Sequence, residues 1–278
     1  LSVYQLVDNI SGATRPRVNL NHVRDIQIPL PPLPEQKRIV AILDEAFAAI
    51  DKAKANAEKN LANAKELFDS YLNSIFANPG EDWEEKKLGE VCKIKGGGTP
   101  SKKNKSFWNG DIPWVSPKDM KQKDIHDTID HISRIAVEES ATNEIPKNSI
   151  LVVVRSGILS HKIPLAITRR KVTINQDMKA LLPQKVILTE FLYYHLKSIQ
   201  TQILSFASRG ATVHRIPAEL LESIVIKFPS LSEQECITSN IESLISKTKQ
   251  IEDNYKRKIT ALDELKKSIL KKAFEGEL

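Results

Sequence analysis

The chain has 278 residues, a formal charge of +6 and two cysteines. That length allows one or two domains with real cores, and no apolar run is long enough to span a bilayer. Two cysteines, Cys92 and Cys236, are too few for a disulfide framework or a Cys-rich metal site, which fits a reducing cytoplasm. The opening LSVYQLVDNI has neither the basic nor the apolar region of a signal peptide and no initiator Met, which points to a fragment or a processed start.

In chain order, a Gly12-Ala13-Thr14 turn comes first, then the alternating run Ile26-Gln27-Ile28, which predicts a strand. The proline stretch 29–34 ends it, and Pro34 suits the first turn of a helix, where its missing N–H costs little. A long helix is predicted over 35–76. Apolar or small residues at 39, 43, 46, 50, 53, 57, 61, 64, 67, 71 and 75 recur mostly at steps of three and four, the spacing of a coiled-coil seam, with a stutter after 53. At 1.5 Å per residue such a helix would reach about 60 Å. Asn78-Pro79-Gly80 stops it.

The segment 81–231 holds 23 Lys and Arg against 17 Asp and Glu, and five of the six histidines, so the whole basic excess sits here. Such a domain suits a polyanion. The run 149–155 reads as a buried strand, 179–182 as another, and 190–207 as an amphipathic helix. The order is not a regular βαβ alternation, so the expected class is α+β with a curved sheet. The loop Lys95-Gly96-Gly97-Gly98-Thr99-Pro100-Ser101-Lys102-Lys103 has free N–H groups and lysines that can hold phosphates, although the P-loop spacing fails. A tight turn with solvated lysines explains it as well. Trp108 and Trp114 read as core or loop anchors more readily than as stacking platforms. Arg155-Ser156 follows the buried strand to its rim, where an arginine can read guanine or make a structural salt bridge. Asn175-Gln176-Asp177 offers amides for adenine edges, or a turn. His161-Lys162, the run 169–171, Arg209 and His214-Arg215 complete the basic set, each open to a solvated-surface reading.

After the central segment the opening pattern returns. A shift of 198 residues lays Gly12-Ala13-Thr14 on Gly210-Ala211-Thr212, Ile26 and Ile28 on Ile224 and Ile226, Gln36 on Gln234, and Leu72 and Phe76 on Leu270 and Phe274, without a gap. A second long helix is predicted over 232–274, with Ser232 and Glu235 as a capping box. Its seam runs through Ile237, Ile241, Leu244, Thr248, Ile251, Tyr255, Ile259, Leu262, Leu265, Ile269 and Ala273. Small residues in the first helix (Ala46, Ala53, Ala57, Ala64) against bulkier ones in the second favour pairing the two with each other. Packing of each helix on a globular core is the alternative.

No Asp/Asn-Pro-Pro-aromatic motif, HExxH, GxSxG, CxxC pair or nuclease-like carboxylate cluster occurs, and the histidines lack metal-ligand spacing. This argues against catalysis and leaves two rivals to a DNA reader: a coiled-coil scaffold whose basic domain binds an acidic partner, and an enzyme with an unfamiliar site.

Taken together, Gly12 to Arg17, Ile28 to Gln36, Trp83 to Leu88, Gly97 to Ser101, Gly110 to Ser116, Asn175-Gln176-Asp177 and Leu231 to Gln234 resemble the specificity subunits of type I restriction–modification systems. The resemblance implies a mixed α/β target-recognition domain over 79–231, flanked by conserved long helices at 34–78 and 232–278 that form an antiparallel coiled coil. It also implies that 1–33 is the tail of a first recognition domain otherwise missing. It implies a cytoplasmic, non-catalytic DNA-binding subunit. Its partners would be double-stranded DNA, methyltransferase subunits and restriction subunits, with a homodimer or a second specificity fragment restoring two readers. No cofactor is expected in this chain; S-adenosylmethionine, and ATP with Mg, would act on the partner subunits. The candidate DNA-binding residues are Lys95, Gly97, Thr99, Ser101, Lys102, Lys103, Ser116, Lys118, Arg155, Ser156, His161, Lys162, Gln176, Arg209, Thr212, His214 and Arg215.

Overall fold

A computed structural model describes residues 20–24, 30–209 and 214–278. The turns expected at 12–14 and 210–212 and the strand expected at 26–28 fall outside the described residues. The chain forms two compact units, residues 1–66 with 247–278, and residues 67–246. Long helices span Leu33–Ala77 and Leu231–Glu275.

In the first unit the helices run antiparallel. Lys54 Nζ lies 2.7 Å from Asp263 Oδ1, and Lys266 Nζ lies 2.8 Å from Asp51 Oδ1, so residue numbers rise along one helix as they fall along the other. The Lys266 ammonium also sits 4.9 Å from the centre of the Phe47 ring. Ile50, Ala57 and Ala273 are buried in the seam. Its phase departs from the predicted one at Ile251 and Leu265, which are exposed, while Glu252 and Lys266 turn inward. Long polar side chains can cover a seam with their methylene stems and keep their charges in water.

In the second unit a five-stranded sheet has the order Cys92–Gly96, Met178–Pro183, Ile150–Val153, Leu165–Thr168, Asp124–Ile125, all antiparallel except the last pair. A four-stranded sheet has the order Asp130–Ile132, Ile112–Val115, Val172–Ile174, Glu144–Ile145, with its central pair parallel. Neither closes into a barrel, and the architecture is α+β. The five-stranded sheet is covered on both faces. Ile150, Val152, Ile167 and Leu181 face a helical layer that contains Phe191, Leu192, Leu196, Leu72, Phe76 and Ile241. Leu151, Val153, Ala166, Met178 and Ala180 face Val115, Ile145, Val172 and Ile174 of the four-stranded sheet. Side chains alternate across a strand, so a strand buried on both faces must be apolar without interruption, as Ile150–Val153 is.

Several expectations need correction here. The 190–207 helix is two, Thr189–Ser198 and Gln200–Ser205, broken at Ile199. The second long helix takes its hydroxyl cap from Ser230, whose Oγ accepts the Glu233 N–H at 3.4 Å, rather than from Ser232. In the first long helix Leu67 and Tyr71 are exposed, whereas Leu72 and Phe76 are buried in the core and Phe68 and Ile75 pack against it. The seam there follows the demand of the core for Phe76, which contacts Phe191 at 5.4 Å, Trp83 at 6.4 Å and His195 at 4.7 Å between ring centres.

Gln234, fully buried, ties the start of the second long helix to the sheet domain. Its Oε1 accepts the Leu188 N–H at 2.8 Å, and its Nε2 donates to Pro229 O at 2.8 Å and Val186 O at 3.1 Å. All the principal hydrogen-bonding capacity of the amide is used inside the protein, where an unmade bond would cost about 1–3 kcal/mol.

His195 is held neutral by burial, with Lys227 adding repulsion, and its pKa falls to about 4; its Nδ1 finds no hydrogen-bond partner. The unfolded chain takes up this proton below about pH 6.5, the folded chain only below about 4. The neutral ring therefore supports full stability above pH 6.5, and that support is lost as pH falls toward 4, by up to about 3 kcal/mol. His195→Phe, which keeps the ring contacts, is expected to flatten the fall in unfolding midpoint across this window; thermal melts at several pH values check it.

Candidate nucleic-acid interface

The candidate residues gather where strands leave the five-stranded sheet. Strand Cys92–Gly96 runs into the 97–104 loop, and that loop is pinned by its backbone. Gly98 N–H donates to Ile174 O at 2.9 Å, and Gly98 O accepts the indole N–H of Trp114 at 3.0 Å. A Cβ on Gly97 would lie 2.1 Å from Ile174 O, so only glycine permits this approach. Gly97 is thus a packing glycine. Trp108 donates to Ser101 O at 3.2 Å and meets Trp114 edge-on at 5.0 Å, so both tryptophans anchor the loop. Ser101, Lys102 and Lys103 are carried exposed on it, and Lys95 is exposed in the strand, opposite Ala180.

The pinned loop brings Thr99 to the turn after strand Val172–Ile174, where its hydroxyl donates to Gln176 Oε1. Asn175 is 6% exposed: its N–H donates to Val115 O at 3.0 Å and its Oδ1 accepts the Asp177 N–H at 3.1 Å. The Asn175 amide is therefore a turn-former and not an adenine reader. Asp177 O accepts the N–H groups of Val154 and Arg155, at 2.8 and 3.2 Å. Arg155 Nε donates to Asp177 Oδ1 at 2.6 Å.

Arg155–Ser156 then forms a three-stranded sheet with His214–Arg215 and Ser208–Arg209. Arg155 stands opposite Arg215, Ser156 opposite His214, and Arg209 opposite His214 on the other side. Ser156 Oγ accepts the Ile158 N–H at 3.4 Å and caps the single turn Gly157–Ser160, which presents His161 exposed. Lys162 lines a hollow of about 450 Å³ together with Lys121, Lys123, Lys197, Tyr193 and Tyr194. Thr212 lies outside the described residues.

Two candidates have carboxylate partners of their own. Ser116 is 6% exposed, and its N–H and hydroxyl both bond Asp119 Oδ2, at 2.9 and 3.0 Å, as the cap of a short turn. Buried and satisfied, it is not available as a DNA contact. Lys118 pairs with Asp130 at 2.7 Å, and that hydrogen bond holds its pKa above the usual lysine value. The 169–171 run is likewise matched by carboxylates: Arg169 with Asp124 and Glu190, Arg170 with Asp127, Lys171 with Glu144. The residue that sequence reasoning undervalued is Asp177. The signal was present, since Asn-x-Asp is the spacing of a side-chain-closed turn.

Among the described residues no group of three or more His, Cys, Asp or Glu is placed to hold a metal ion, and no helix is long and apolar enough to cross a membrane. Burial pushes the Cys92 thiol up to about 12, which leaves it unreactive. The gathered groups are donors and acceptors on a basic rim, suited to phosphates and base edges.

A family model described as the type I restriction modification DNA specificity domain matches residues 2–60 and 80–261. The EcoR124I/EcoR124II specificity subunit of Escherichia coli is 38% identical over 243 residues, which cover 85% of this chain and 59% of that one. The MjaIX specificity subunit of Methanocaldococcus jannaschii is 30% identical over 70% of this chain and 44% of its own. The chain thus spans about half the length of the curated relatives it matches. Among solved structures, a chain from a study of assembly and conformational transition of the type I R-M system superposes with a TM-score of 0.81 at 23% identity, over 100% of this chain and 68% of that one. The HsdS subunit of Thermoanaerobacter tengcongensis superposes at 0.67 and 22%, over 99% and 67%. Both share the fold.

Gly97→Ala is expected to lift the loop from Ile174 and lower stability by roughly 1–3 kcal/mol, the range for overpacking a tight site. Denaturant unfolding measures this, and a neutral result would mean that the loop is not pinned.

Proposed function

Because this chain belongs to the type I restriction–modification DNA specificity family, we propose that it reads one short stretch of duplex DNA for partner enzymes and catalyses nothing itself. The observation that carries this reading is the convergence of Thr99, Gln176, Arg155, Ser156, His214 and Arg215 on one rim of the 67–246 unit, all within the segment 81–231 that holds 23 Lys and Arg against 17 Asp and Glu. Lys95, Lys102, Lys103, His161 and Lys162 would supply phosphate contacts and hence salt dependence, while Arg155 and Gln176 would meet base edges. Arg209, in the strand paired with His214–Arg215, would join them, as would Thr212.

In this reading 79–231 is the recognition domain, 34–78 and 232–278 are the helices gripped by methyltransferase and restriction subunits, and 1–33 belongs to another recognition domain. S-adenosylmethionine, and ATP with Mg, would be bound by those partner subunits, in the cytoplasm.

The internal repeat supports a second reader on the same helices. Leu72, Phe76 and Ile241 are buried in the core that carries the recognition domain, with Ile245 packed against it. Their equivalents under the 198-residue shift are Leu270, Phe274, Leu43 and Phe47. Leu270 and Phe274 are 41% and 54% exposed, against 2% and 8% for Leu72 and Phe76. Gln36 repeats one of the Gln234 bonds, donating to Pro31 O at 2.7 Å. This face would seat a recognition domain supplied by a second copy or another specificity fragment.

The chain, alone and with a cognate methyltransferase subunit, is incubated with random duplex DNA, and the retained DNA is sequenced. Recovery of a short contiguous motif is expected from a single reader, and a bipartite motif from an assembly with two. Phe274→Ser is expected to abolish the bipartite motif and leave the contiguous one. Salt-sensitive retention without a motif, or no retention even with the partner, would contradict the proposal; the latter would favour the scaffold reading.

A further inference from the structure

We infer that Asp177 is a positioning residue that fixes Arg155 to read a guanine, so that this ion pair sets base preference and contributes little to general affinity. The inference rests on the DNA-reading function proposed above.

Three observations carry it. Arg155 is half-exposed and donates to Asp177 through Nε alone among its resolved bonds, at 2.6 Å. A guanidinium held by Nε keeps its two terminal NH2 groups as a planar fork, and that fork matches O6 and N7 of guanine in the major groove. Second, Asp177 is itself immobilised. Its Oδ2 accepts Asn175 Nδ2 at 3.3 Å, its N–H is held by Asn175 Oδ1 at 3.1 Å, and its carbonyl accepts two N–H groups from 154 and 155. Asn175 is buried and bonded to Val115 of the four-stranded sheet, so hydrogen bonds run unbroken from the core to the guanidinium. A side chain ordered before binding loses less entropy on meeting its base. Third, the pair is electrically neutral. An arginine whose task was to attract phosphate would be hindered by a carboxylate at 2.6 Å; one that must point in a single direction is helped by it.

Removal of the Asp177 charge has an unusual expected sign. If Asp177 positions Arg155, Asp177→Ala removes a negative charge from the rim and should bind random duplex DNA as well as or better than the parent, while losing preference for guanine at one position of the motif. Relative affinities for guanine and the other bases at that position should converge by roughly tenfold or more, the discrimination typical of a bidentate contact. Arg155→Lys, which keeps the charge and loses the fork, should lose the same position. Asp177→Asn, which keeps an acceptor oxygen and leaves the turn intact, should retain part of the preference, so that any folding defect of the alanine variant does not decide the outcome.

The full chain with its methyltransferase subunit is assayed on the retained motif, on its single-base variants at each position and on random duplex, at several salt concentrations. Parallel loss of specific and random binding in Asp177→Asn and Arg155→Lys, or an unchanged preference in both, would overturn the inference while leaving the DNA-reading function standing. Absence of any preferred motif in the parent would instead remove the function on which it rests.

Discussion

Strand Ile150–Val153 is buried on both faces, and the position of the candidate interface depends on that constraint. A strand with no solvated face needs a layer on each side. Helices Thr189–Ser198 and Gln200–Ser205, with the ends of the long helices that belong to this unit, supply one, and the four-stranded sheet supplies the other. With both faces occupied, polar function can emerge only at strand ends. Arg155 leaves the core there, and the neighbouring ends bring up the 97–104 and 175–177 loops. Cross-strand backbone bonds then fix the spacing of Thr99, Gln176 and Arg155 without a ligand. The geometry of the rim is a consequence of how the core is covered.

The same core anchors the ends of the long helices. Phe76 packs among Trp83, Phe191 and His195, and Gln234 closes three hydrogen bonds with the domain. Each buried aromatic ring contributes roughly 1.5–3 kcal/mol. The buried amide adds directional specificity, because any slip of the helix start would leave its partners unbonded.

How much of this was legible in the sequence varied with the range of the interactions. The uninterrupted run at 149–155 announced its strand, and the 198-residue repeat announced two equivalent helices, because both are local or periodic signals. After residue 64 the seam was legible only at Ile75. Leu67 and Tyr71 lie beside Phe68 and Leu72, and only the demand of a distant core for Phe76 chooses between the two phases. The candidate site divided in the same way. Arg155 at a strand end was readable, but the burial of Asn175 and the pinning of Gly97 on Ile174 are contacts between segments far apart in sequence. Ser116-Pro117-Lys118-Asp119 carried a capping pattern that explains the loss of Ser116 to structure, and that pattern was local enough to be read.

In the proposed function, the rim formed by the 97–104 loop, the Arg155 strand end, the 175–177 turn and the His214–Arg215 strand meets DNA. Backbone hydrogen exchange, measured with and without duplex DNA carrying the retained motif, tests it most directly. Slowed exchange in segments 97–104, 155–162, 175–177 and 214–215, with 247–275 unchanged, is the predicted result. Protection confined to the long helices, with the rim exchanging as in the free chain, would contradict it.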